Sequence, residues 1–304
     1  MQPTRRDFMA ASGAALAATV LPTGGLFASS NAVFDLDFAP HPGMFRHLAG
    51  DSIPDQIAFA ADQGFTAWED NGMKGRDVQL QEQIGRFLSD RGMTMGVFVA
   101  HEIHWKQPTM SLGDPDYVAQ FLKEINESIP VAKRVGAQWM TVVPGHVDMK
   151  LHLDYQMGNL AECLKRACEI LEPHSLTMVL EPLNNYENHP GLILKEIPQA
   201  WYLCKAVGSP SCKILFDIYH QQIQEGRIIR NIDAAWDEIA YFQIGDAPGR
   251  KEPTTGELNY RNIFRHIKAK GYTGVLGMEH GNSQDGAEGE RAVIKAYKET
   301  GSNL

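Results

Sequence analysis

A regular alternation of strand-like and helix-like patterns is the feature that most constrains the fold of this chain. Each of eight short apolar runs is followed by a segment with helical periodicity, and most of those segments end at a glycine. Strands that alternate with helices in this way form parallel sheets. Eight such units predict an α/β fold, a single closed (β/α)8 TIM barrel. An open doubly wound sheet is the alternative, but the sequence has no GxGxxG, GxxxxGKS or GxxxxGKT loop to support it.

The predicted elements cover most of the chain after residue 32. The predicted strands are VFDLDFAPH, FTAWED, MTMGVFVA, QWMTVV, TMVLEP, KILFDIYH, IAYFQIG and TGVLGMEH. The predicted helices span residues 53–63, 78–91, 117–135, 155–171, 197–207, 221–231, 260–270 and 288–300. With 304 residues, 43% of them hydrophobic, the chain can bury one large core. We therefore assign residues 33–304 to one barrel domain.

Residues 1–32 carry a separate signal. The segment TRRDFM at residues 4–9 is followed by a moderately apolar, alanine-rich run through Leu21, and this resembles a twin-arginine export leader. The resemblance implies export by the twin-arginine machinery to the periplasm, or anchoring through an uncleaved leader. It also implies transport of a folded, often cofactor-loaded protein.

The charge and the cysteine content restrict the classes of partner and site. The formal net charge is −9 and no block of lysine or arginine occurs, which argues against nucleic acid as the main partner. A small polar or anionic molecule is the expected partner. The four cysteines form no CxxC pair and are predicted to be buried thiols outside any site; they are Cys163, Cys168, Cys204 and Cys212. The sequence leaves a homo-oligomer open.

Four hydrogen-bond acceptors stand at the ends of the last four predicted strands. They are Glu181, Asp217, Gln243 and Glu279. Each follows a bulky apolar residue, and successive strand residues face opposite sides of a sheet. If the apolar residues pack outward against helices, all four acceptors point into the barrel at the end where barrel active sites lie. We therefore expect the four side chains to converge.

The chemistry of these four side chains predicts a metal site. Three carboxylates and one amide oxygen suit a hard or borderline divalent cation, with Mg²⁺ or Mn²⁺ first and Co²⁺ also acceptable. The competing interpretation is that each acid only caps the helix after its strand. For a single acid we would prefer the cap, whereas four acceptors at matched positions favour the metal.

Other polar side chains follow the predicted strands and are candidates for substrate contacts. They are Glu69, His101, Glu187, His220 and Arg250. His220 lies one turn past Asp217, where a strand is expected to turn into a helix. Arg250 follows a Pro-Gly turn and can make bidentate contacts with carboxylate or hydroxyl oxygens.

Together these residues support metal-assisted proton transfer. A metal held by oxygen ligands can bind the adjacent carbonyl and hydroxyl oxygens of a small hydroxy-carbonyl compound and stabilise the enediolate left by proton loss. Glu181 and Glu279 come from different walls of the predicted barrel, so one can remove the proton and the other can return it. A carboxylate that binds metal is a weaker base, so each must keep one oxygen free or shift when substrate binds.

Four segments, EPLN, FDIYHQQ, QIGDAPGRKEPTTGELNY and GMEH, resemble the hydroxypyruvate isomerase family within the xylose isomerase-like TIM-barrel superfamily. The resemblance is strongest over residues 178–280. It implies that Glu181, Asp217, Gln243 and Glu279 bind metal, that Glu181 and Glu279 form the acid/base pair, and that Glu187, His220 and Arg250 contact substrate. The implied reaction interconverts hydroxypyruvate and tartronate semialdehyde.

Four other functions compete with this one. The loops after the second, third and fifth strands differ from the family pattern, and substrate specificity lies in such loops. A keto-sugar epimerase or a 3-keto-glycoside lyase is therefore an alternative that begins with the same proton abstraction. A multi-zinc nuclease of the endonuclease IV type ranks lower because this acidic chain offers mainly carboxylates. A catalytically inactive periplasmic binding protein ranks lower because both glutamates of the acid/base pair are present.

Overall fold

The computed structural model describes residues 33–304, and the predicted leader at residues 1–32 lies outside the described residues. Within the described part, no helix is both long enough and apolar enough to cross a membrane. All four cysteines are buried free thiols, as the sequence predicts.

The described residues alternate strands with helices. The strands are β1 (Asp37–Ala39), β2 (Ala67–Trp68), β3 (Thr94–Met95), β4 (Trp139–Val142), β5 (Thr177–Leu180), β6 (Cys212–Asp217), β7 (Ile239–Gln243) and β8 (Val275–Gly277). The helices are α1 (Arg46–Ala49), α2 (Ile53–Asp62), α3 (Val78–Asp90), α4 (Pro115–Val135), α5 (Leu153–Leu171), α6 (Ile197–Val207), α7 (Ile218–Gln224), α8 (Ile228–Ala235), α9 (Tyr260–Ala269) and α10 (Gly286–Gly301).

All strand pairs are parallel, and a few backbone hydrogen bonds complete the ring that the ladders leave open. Six strands pair in the order β1-β8-β7-β6-β5-β4, and β2 pairs with β3. The N–H of Glu69 donates to the carbonyl of Pro40 at 2.9 Å, which joins β2 to β1. The N–H of Thr141 donates to the carbonyl of Phe98 at 2.8 Å, which joins β3 to β4. The predicted (β/α)8 TIM barrel is thereby confirmed.

Strand alternation separates two apolar layers. The inner layer holds one buried residue from each of six strands and Val97 just after β3: Ala39, Ala67, Val97, Val179, Leu215, Tyr241 and Val275. The outer layer, between strands and helices, includes the four residues that precede the strand-end acceptors: Leu180, Phe216, Phe242 and Met278. Because side chains alternate between these layers, residues 181, 217, 243 and 279 face the barrel interior.

The helix predicted over residues 221–231 is wrong, because two helices occupy this region. Asp217 ends β6 and accepts hydrogen bonds from the N–H groups of Tyr219 and His220, so α7 begins earlier than predicted. Gly226 and Arg227 then adopt positive φ angles of 62° and 53°, which interrupts the helical path before α8. The strand predicted over KILFDIYH is shortened for the same reason, since a side-chain cap at Asp217 favours the helix.

The crossing of α3 and α4 gives a test of helix packing. A Cβ at Gly85 in α3 would lie 2.0 Å from the backbone oxygen of Arg134 in α4, whereas a Cβ at Gly158 in α5 meets nothing within 4 Å. We expect Gly158→Ala to raise the free energy of unfolding by about 0.5–1 kcal/mol through helix propensity. We expect Gly85→Ala to lower it by about 1–3 kcal/mol through overpacking. Urea unfolding of both variants checks this, and equal effects would contradict the close helix contact.

Candidate active site

Asp217 and Gln243 lie side by side at the ends of β6 and β7. The two residues are Cα partners in the parallel ladder. Asp217 Oδ1 accepts from the N–H groups of Tyr219 at 2.8 Å and His220 at 3.3 Å. Its second oxygen, Oδ2, stays on the interior side and accepts from Arg250 Nη2 at 2.9 Å. The cap and the site are therefore not alternatives for this residue, because each oxygen serves one of them.

Glu181 and Glu279 approach the same region from β5 and β8, and their surroundings differ. Glu279 Oε1 accepts from Asn71 Nδ2 at 3.0 Å, and its Oε2 accepts from Arg250 Nη2 at 2.6 Å. In the described part of the chain we find no hydrogen bond to the carboxylate of Glu181, a residue that is only 7% exposed. Glu279 is thus held on both oxygens, while Glu181 is free to accept a proton or a cation.

Arg250 is the cation between these acids. Its Nη2 bonds both Asp217 and Glu279, and its Nε donates to the backbone oxygen of Glu279 at 3.1 Å. The guanidinium lies over the Tyr219 ring at 5.0 Å from the ring centroid. Burial opposes the charge of Arg250, but Glu279 and Asp217 outweigh burial and raise the pKa of Arg250 above its usual value. Arg250 therefore carries a permanent positive charge into the barrel.

The loop that carries Arg250 is organised by the buried carboxylate of Asp246. Its Oδ1 accepts from the N–H groups of Ala247 at 3.0 Å and Leu258 at 3.2 Å, and its Oδ2 accepts from the N–H of Gly256 at 2.9 Å. The backbone oxygen of Asp246 accepts from the N–H of Arg250 at 2.9 Å. One side chain thus holds both arms of the loop, and this fixes where the guanidinium lies.

His220 presents a defined ring nitrogen to the acids. The Asn184 amide oxygen accepts from the N–H groups of Glu187 and Asn188, both at 3.1 Å, so the Asn184 NH₂ group faces the ring. That group lies 2.7 Å from His220 Nδ1, which must accept and carries no proton. Burial lowers the pKa of His220 to about 3, so the ring is neutral with its proton on Nε2. Nε2 is 3.6 Å from Asp217 Oδ2 and is a hydrogen-bond donor toward the site.

The other predicted contact residues lie in different surroundings. Glu69 is 1% exposed and bonds Tyr241 and Gln243 inside the barrel. Both ring nitrogens of His101 bond to backbone, to Glu102 O at 2.8 Å and Val143 N at 3.2 Å, and burial lowers the pKa of His101 to about 4. Glu187 is exposed on the loop after β5. Of the five predicted contacts, the structure brings His220 and Arg250 directly against the strand-end acids.

Two asparagines of this site were missed by sequence reasoning. Asn71 holds Glu279, and Asn184 sets the proton position on His220. Asn71 lies in the exit of β2, just past the predicted strand FTAWED, but Asn-Gly is also a common turn signal. Asn184 lies three residues past Glu181, and no local pattern indicates that its amide meets a ring 36 residues away.

The cover of the site comes from the loops after β3 and β5. Trp105 stacks on His189 with ring centroids 5.0 Å apart and an interplanar angle of 22°. His189 in turn lies 5.3 Å from the His220 ring centroid. Trp105 is 45% exposed, so this column of rings leads from the surface to the acids. These are two of the loops in which sequence analysis predicts the specificity to lie.

Burial makes the acids bind protons tightly. Desolvation, reinforced by Glu279 and Asp217, raises the pKa of Glu181 well above its usual value. Desolvation also raises the pKa of Glu279 to about 7 against the opposing effect of Arg250. It raises the pKa of Glu69 to about 8, with Glu279 adding to the effect. When these acids are ionised, the single positive charge of Arg250 is too small to neutralise them.

The residues present fit a divalent cation. One ligand atom each of Glu181, Asp217 and His220 lie within 4.8 Å of one another. Gln243 Oε1 is buried and, among residues 33–304, has no hydrogen-bond partner. In the neutral ring the proton is on Nε2, so His220 is a donor rather than a ligand. The remaining ligands are oxygens of Glu181, Asp217 and Gln243, the type that Mg²⁺ and Mn²⁺ prefer. Glu279 lies outside the 4.8 Å group and is joined to Asp217 through Arg250.

The role of Asp246 can be tested by Asp246→Ala. Three backbone N–H groups would lose their acceptor, at about 1–3 kcal/mol for each group left buried and unpaired. We expect a lower melting temperature and a loss of turnover, because Arg250 would leave its place between the acids. Glu257→Ala on the exposed part of the same loop is the control and should leave both unchanged. Unchanged turnover in Asp246→Ala would show that the loop does not position Arg250.

The raised carboxyl pKa values predict a pH dependence of stability. The folded protein binds these protons more tightly than the unfolded chain, where Glu titrates near about 4.3. The stability from these groups is present at acid pH and is lost as pH rises toward 7–8. Buried histidines such as His220 have the opposite sign, and their effect is nearly complete above the unfolded His pKa of about 6.5.

Between pH 7 and 8 we therefore expect the melting temperature of protein in EDTA to fall. Saturating Mn²⁺ should abolish most of that fall, because a cation stabilises the ionised carboxylates. Scanning calorimetry at pH 7.0, 7.5 and 8.0, with EDTA or Mn²⁺, measures the melting temperature in each condition. These pH values span the raised pKa values of about 7 for Glu279 and about 8 for Glu69. The buried cysteine thiols lie outside this site, so Mn²⁺ should not change the pH dependence that they cause. Parallel curves in the two conditions would contradict a cation at the carboxylates.

Comparison with known proteins places this barrel in a family. Residues 57–299 match the family described as xylose isomerase-like TIM barrel. Hydroxypyruvate isomerase of Escherichia coli (strain K12) is 31% identical over 166 residues, which cover 55% of this chain and 64% of that protein. The 2-oxo-tetronate isomerase of Cupriavidus necator is 28% identical over 227 residues, which cover 74% of this chain and 86% of that protein.

Solved structures agree on the fold. The AP endonuclease, family 2, of Brucella melitensis superimposes with a TM-score of 0.72 at 23% identity, over 86% of this chain and 96% of that one. Likeness at this identity is evidence for the barrel and not for the reaction. The matched residues include all four strand-end acceptors and Arg250. This chain belongs to the xylose isomerase-like TIM barrel family and, within it, to the isomerases similar to hydroxypyruvate isomerase.

Proposed function

We propose that this protein is a divalent-metal-dependent isomerase of a small hydroxy-keto acid, with hydroxypyruvate and tartronate semialdehyde as the first pair to test. The observation that carries the proposal is the meeting of Glu181, Asp217 and Glu279, from three strands, around His220 and the Arg250 guanidinium. Glu181 and Glu279 stand on different walls of the barrel, which suits proton transfer. The fixed guanidinium of Arg250 suits a substrate that is itself an anion.

The names of the relatives support the class of substrate. One is a hydroxypyruvate isomerase and another is a 2-oxo-tetronate isomerase. Both names describe acids with a carbonyl next to the carboxylate and a hydroxyl on the neighbouring carbon. Arg250 can bind such a carboxylate through Nη1, since Nε and Nη2 are the nitrogens that donate to Glu279 and Asp217.

Glu181, Asp217 and Gln243 are the residues that would hold the metal, and Glu279 would join them by exchanging its contact with Arg250 for the cation. When bound there, a divalent cation supplies Lewis-acid stabilisation of negative charge on adjacent carbonyl and hydroxyl oxygens.

Glu181 and Glu279 would move the carbon-bound proton. In hydroxypyruvate, a carboxylate removes a proton from the hydroxymethyl carbon, and the C–H electrons form the enediolate double bond. The hydroxyl proton moves to the former carbonyl oxygen, and a carboxylic acid returns a proton to the former carbonyl carbon, which gives tartronate semialdehyde. Glu181 suits the abstracting role because its carboxylate is free, while Glu279 is held by Asn71 and Arg250.

His220 would orient the substrate without exchanging protons. Its Nε2–H can donate to a substrate oxygen, and its pKa of about 3 keeps the ring neutral across the working pH range. A neutral donor stabilises developing negative charge on oxygen without competing with the carboxylates for the transferred proton.

We also propose that the protein is exported by the twin-arginine route to the periplasm, or anchored there by an uncleaved leader. The support is the segment TRRDFM at residues 4–9 and the alanine-rich run after it.

Deuterium exchange tests the reaction directly. Leaderless protein loaded with Mn²⁺ is incubated in D₂O with hydroxypyruvate, 2-oxo-tetronate, ketohexoses or 3-keto-glycosides, and nuclear magnetic resonance follows carbon-bound deuterium and product. We expect metal-dependent exchange with a hydroxy-keto acid. We expect Glu181→Gln to slow exchange about 10²- to 10⁴-fold, the usual contribution of a general base.

Glu162→Gln, an exposed change on α5, is the matched control and should keep the wild-type rate. Retained exchange in Glu181→Gln would remove the base from the mechanism. Exchange with keto-sugars alone would keep the mechanism and replace the substrate class. No exchange with any of these compounds, despite bound Mn²⁺, would count against the isomerase itself.

A further inference from the structure

One buried carboxylate, Glu69, takes no part in the proton transfer proposed for Glu181 and Glu279. It leaves the end of β2 and lies inside the barrel with 1% exposure. Its Oε2 accepts from the Tyr241 hydroxyl at 2.7 Å, and its Oε1 accepts from Gln243 Nε2 at 2.9 Å. Tyr241 belongs to the inner apolar layer, two residues before Gln243 on β7. Glu69 therefore lies one layer deeper than the four strand-end acceptors.

The fold keeps a space for this carboxylate. Gly277, the Cα partner of Gln243 on β8, has no side chain on the interior face. A Cβ at that position would lie 1.8 Å from Glu69 Oε2. A glycine inside a strand marks a close approach by another group, and here the group is Glu69.

The position of Glu69 decides which end of the Gln243 amide faces the other acids. The Tyr241 hydroxyl and Gln243 Nε2 both donate to Glu69, so the NH₂ group of Gln243 is the end that faces Glu69, the arrangement that an ionised carboxylate requires. The oxygen, Oε1, then lies on the opposite side of the amide. It is buried and, in the described part of the chain, makes no hydrogen bond. A buried acceptor without a partner is costly unless another positive group satisfies it.

We propose that Glu69 is a positioning residue that sets the orientation of the Gln243 amide, so that oxygen rather than NH₂ faces Asp217 and the cation. This inference rests on the metal site of the proposed function. With the amide reversed, two N–H donors would point at the cation and one ligand would be lost. Tyr241 supports the arrangement by holding the second oxygen of Glu69, which keeps the first oxygen aimed at Gln243.

Mn²⁺ affinity of the leaderless protein tests this without any substrate, with free Mn²⁺ measured by electron paramagnetic resonance. We expect Glu69→Gln to weaken Mn²⁺ binding about 10- to 100-fold, the usual effect of losing a residue that orients a metal ligand. Tyr241→Phe should weaken it less, because Glu69 still accepts from Gln243. Circular dichroism and thermal melting report whether each variant is folded.

A reciprocal exchange keeps the test decisive where Glu69→Gln folds poorly. In the double variant Glu69→Gln with Gln243→Glu, the amide at 69 can donate to the carboxylate at 243 and still accept from Tyr241. One carboxylate oxygen at 243 then faces the cation in either orientation, so we expect Mn²⁺ affinity at least equal to that of wild type. Affinity as weak as in Glu69→Gln alone would overturn the inference.

A double-mutant cycle distinguishes orientation from charge. In the Gln243→Ala background, Glu69→Gln should cause no further loss of Mn²⁺ affinity, because no amide remains to be oriented. The same fold-loss with and without Gln243 would show that Glu69 acts through its charge, which overturns the inference. Wild-type affinity in Glu69→Gln would also overturn it. Failure of the wild-type protein to bind Mn²⁺ is a different result, since it removes the metal from the proposed function itself.

Discussion

The gathering of carboxylates inside one end of the barrel is the constraint on which the rest of the site depends. Removing an ionised group from water costs several kcal/mol even after the surroundings relax. The protein offsets this cost for most of these acids with hydrogen-bond donors of their own. Asp217 takes the first N–H groups of α7, Glu279 takes Asn71, and Glu69 takes Tyr241 and Gln243. Among residues 33–304, Glu181 is the exception, and a buried acid without donors there suits proton transfer or a cation better than a purely structural role.

Arg250, the half-buried cation among these acids, is held by a loop rather than by a strand. Arg250 reaches Asp217 and Glu279 because the Asp246 side chain ties the two arms of its loop together. Arg250 itself has a positive φ of 52°, a backbone region that non-glycine residues seldom adopt. The charge balance of the site is therefore set by loop geometry, and the barrel supplies the rigid frame on which that loop is built.

Two layers of side chains surround the acids at this end of the barrel. In the deeper layer, Glu69 lies below the strand ends and contacts the amide of Gln243, which we propose it orients. In the outer layer, Trp105 and His189, from the loops after β3 and β5, stack toward His220 and cover the site. The chemistry of the acids is common to several reactions that begin with loss of a carbon-bound proton. On the proposed function, the choice of substrate would depend on the outer layer, in the loops after β3 and β5.

The sequence by itself determined the alternation of strands and helices, the barrel, and the inward direction of residues 181, 217, 243 and 279. Those features follow from the local periodicity of apolar residues, which can be recognised in short windows of the sequence. Tertiary structure alone decided which partner each acid meets. Glu69 and Tyr241 are 172 positions apart, and Asn71 and Glu279 are 208 positions apart. Such pairs form because closing the barrel brings the ends of distant strands together, and no local pattern records that closure. The break at Gly226 and Arg227 and the use of both His101 nitrogens by backbone have the same origin, since each depends on hydrogen bonds and backbone angles that packing selects.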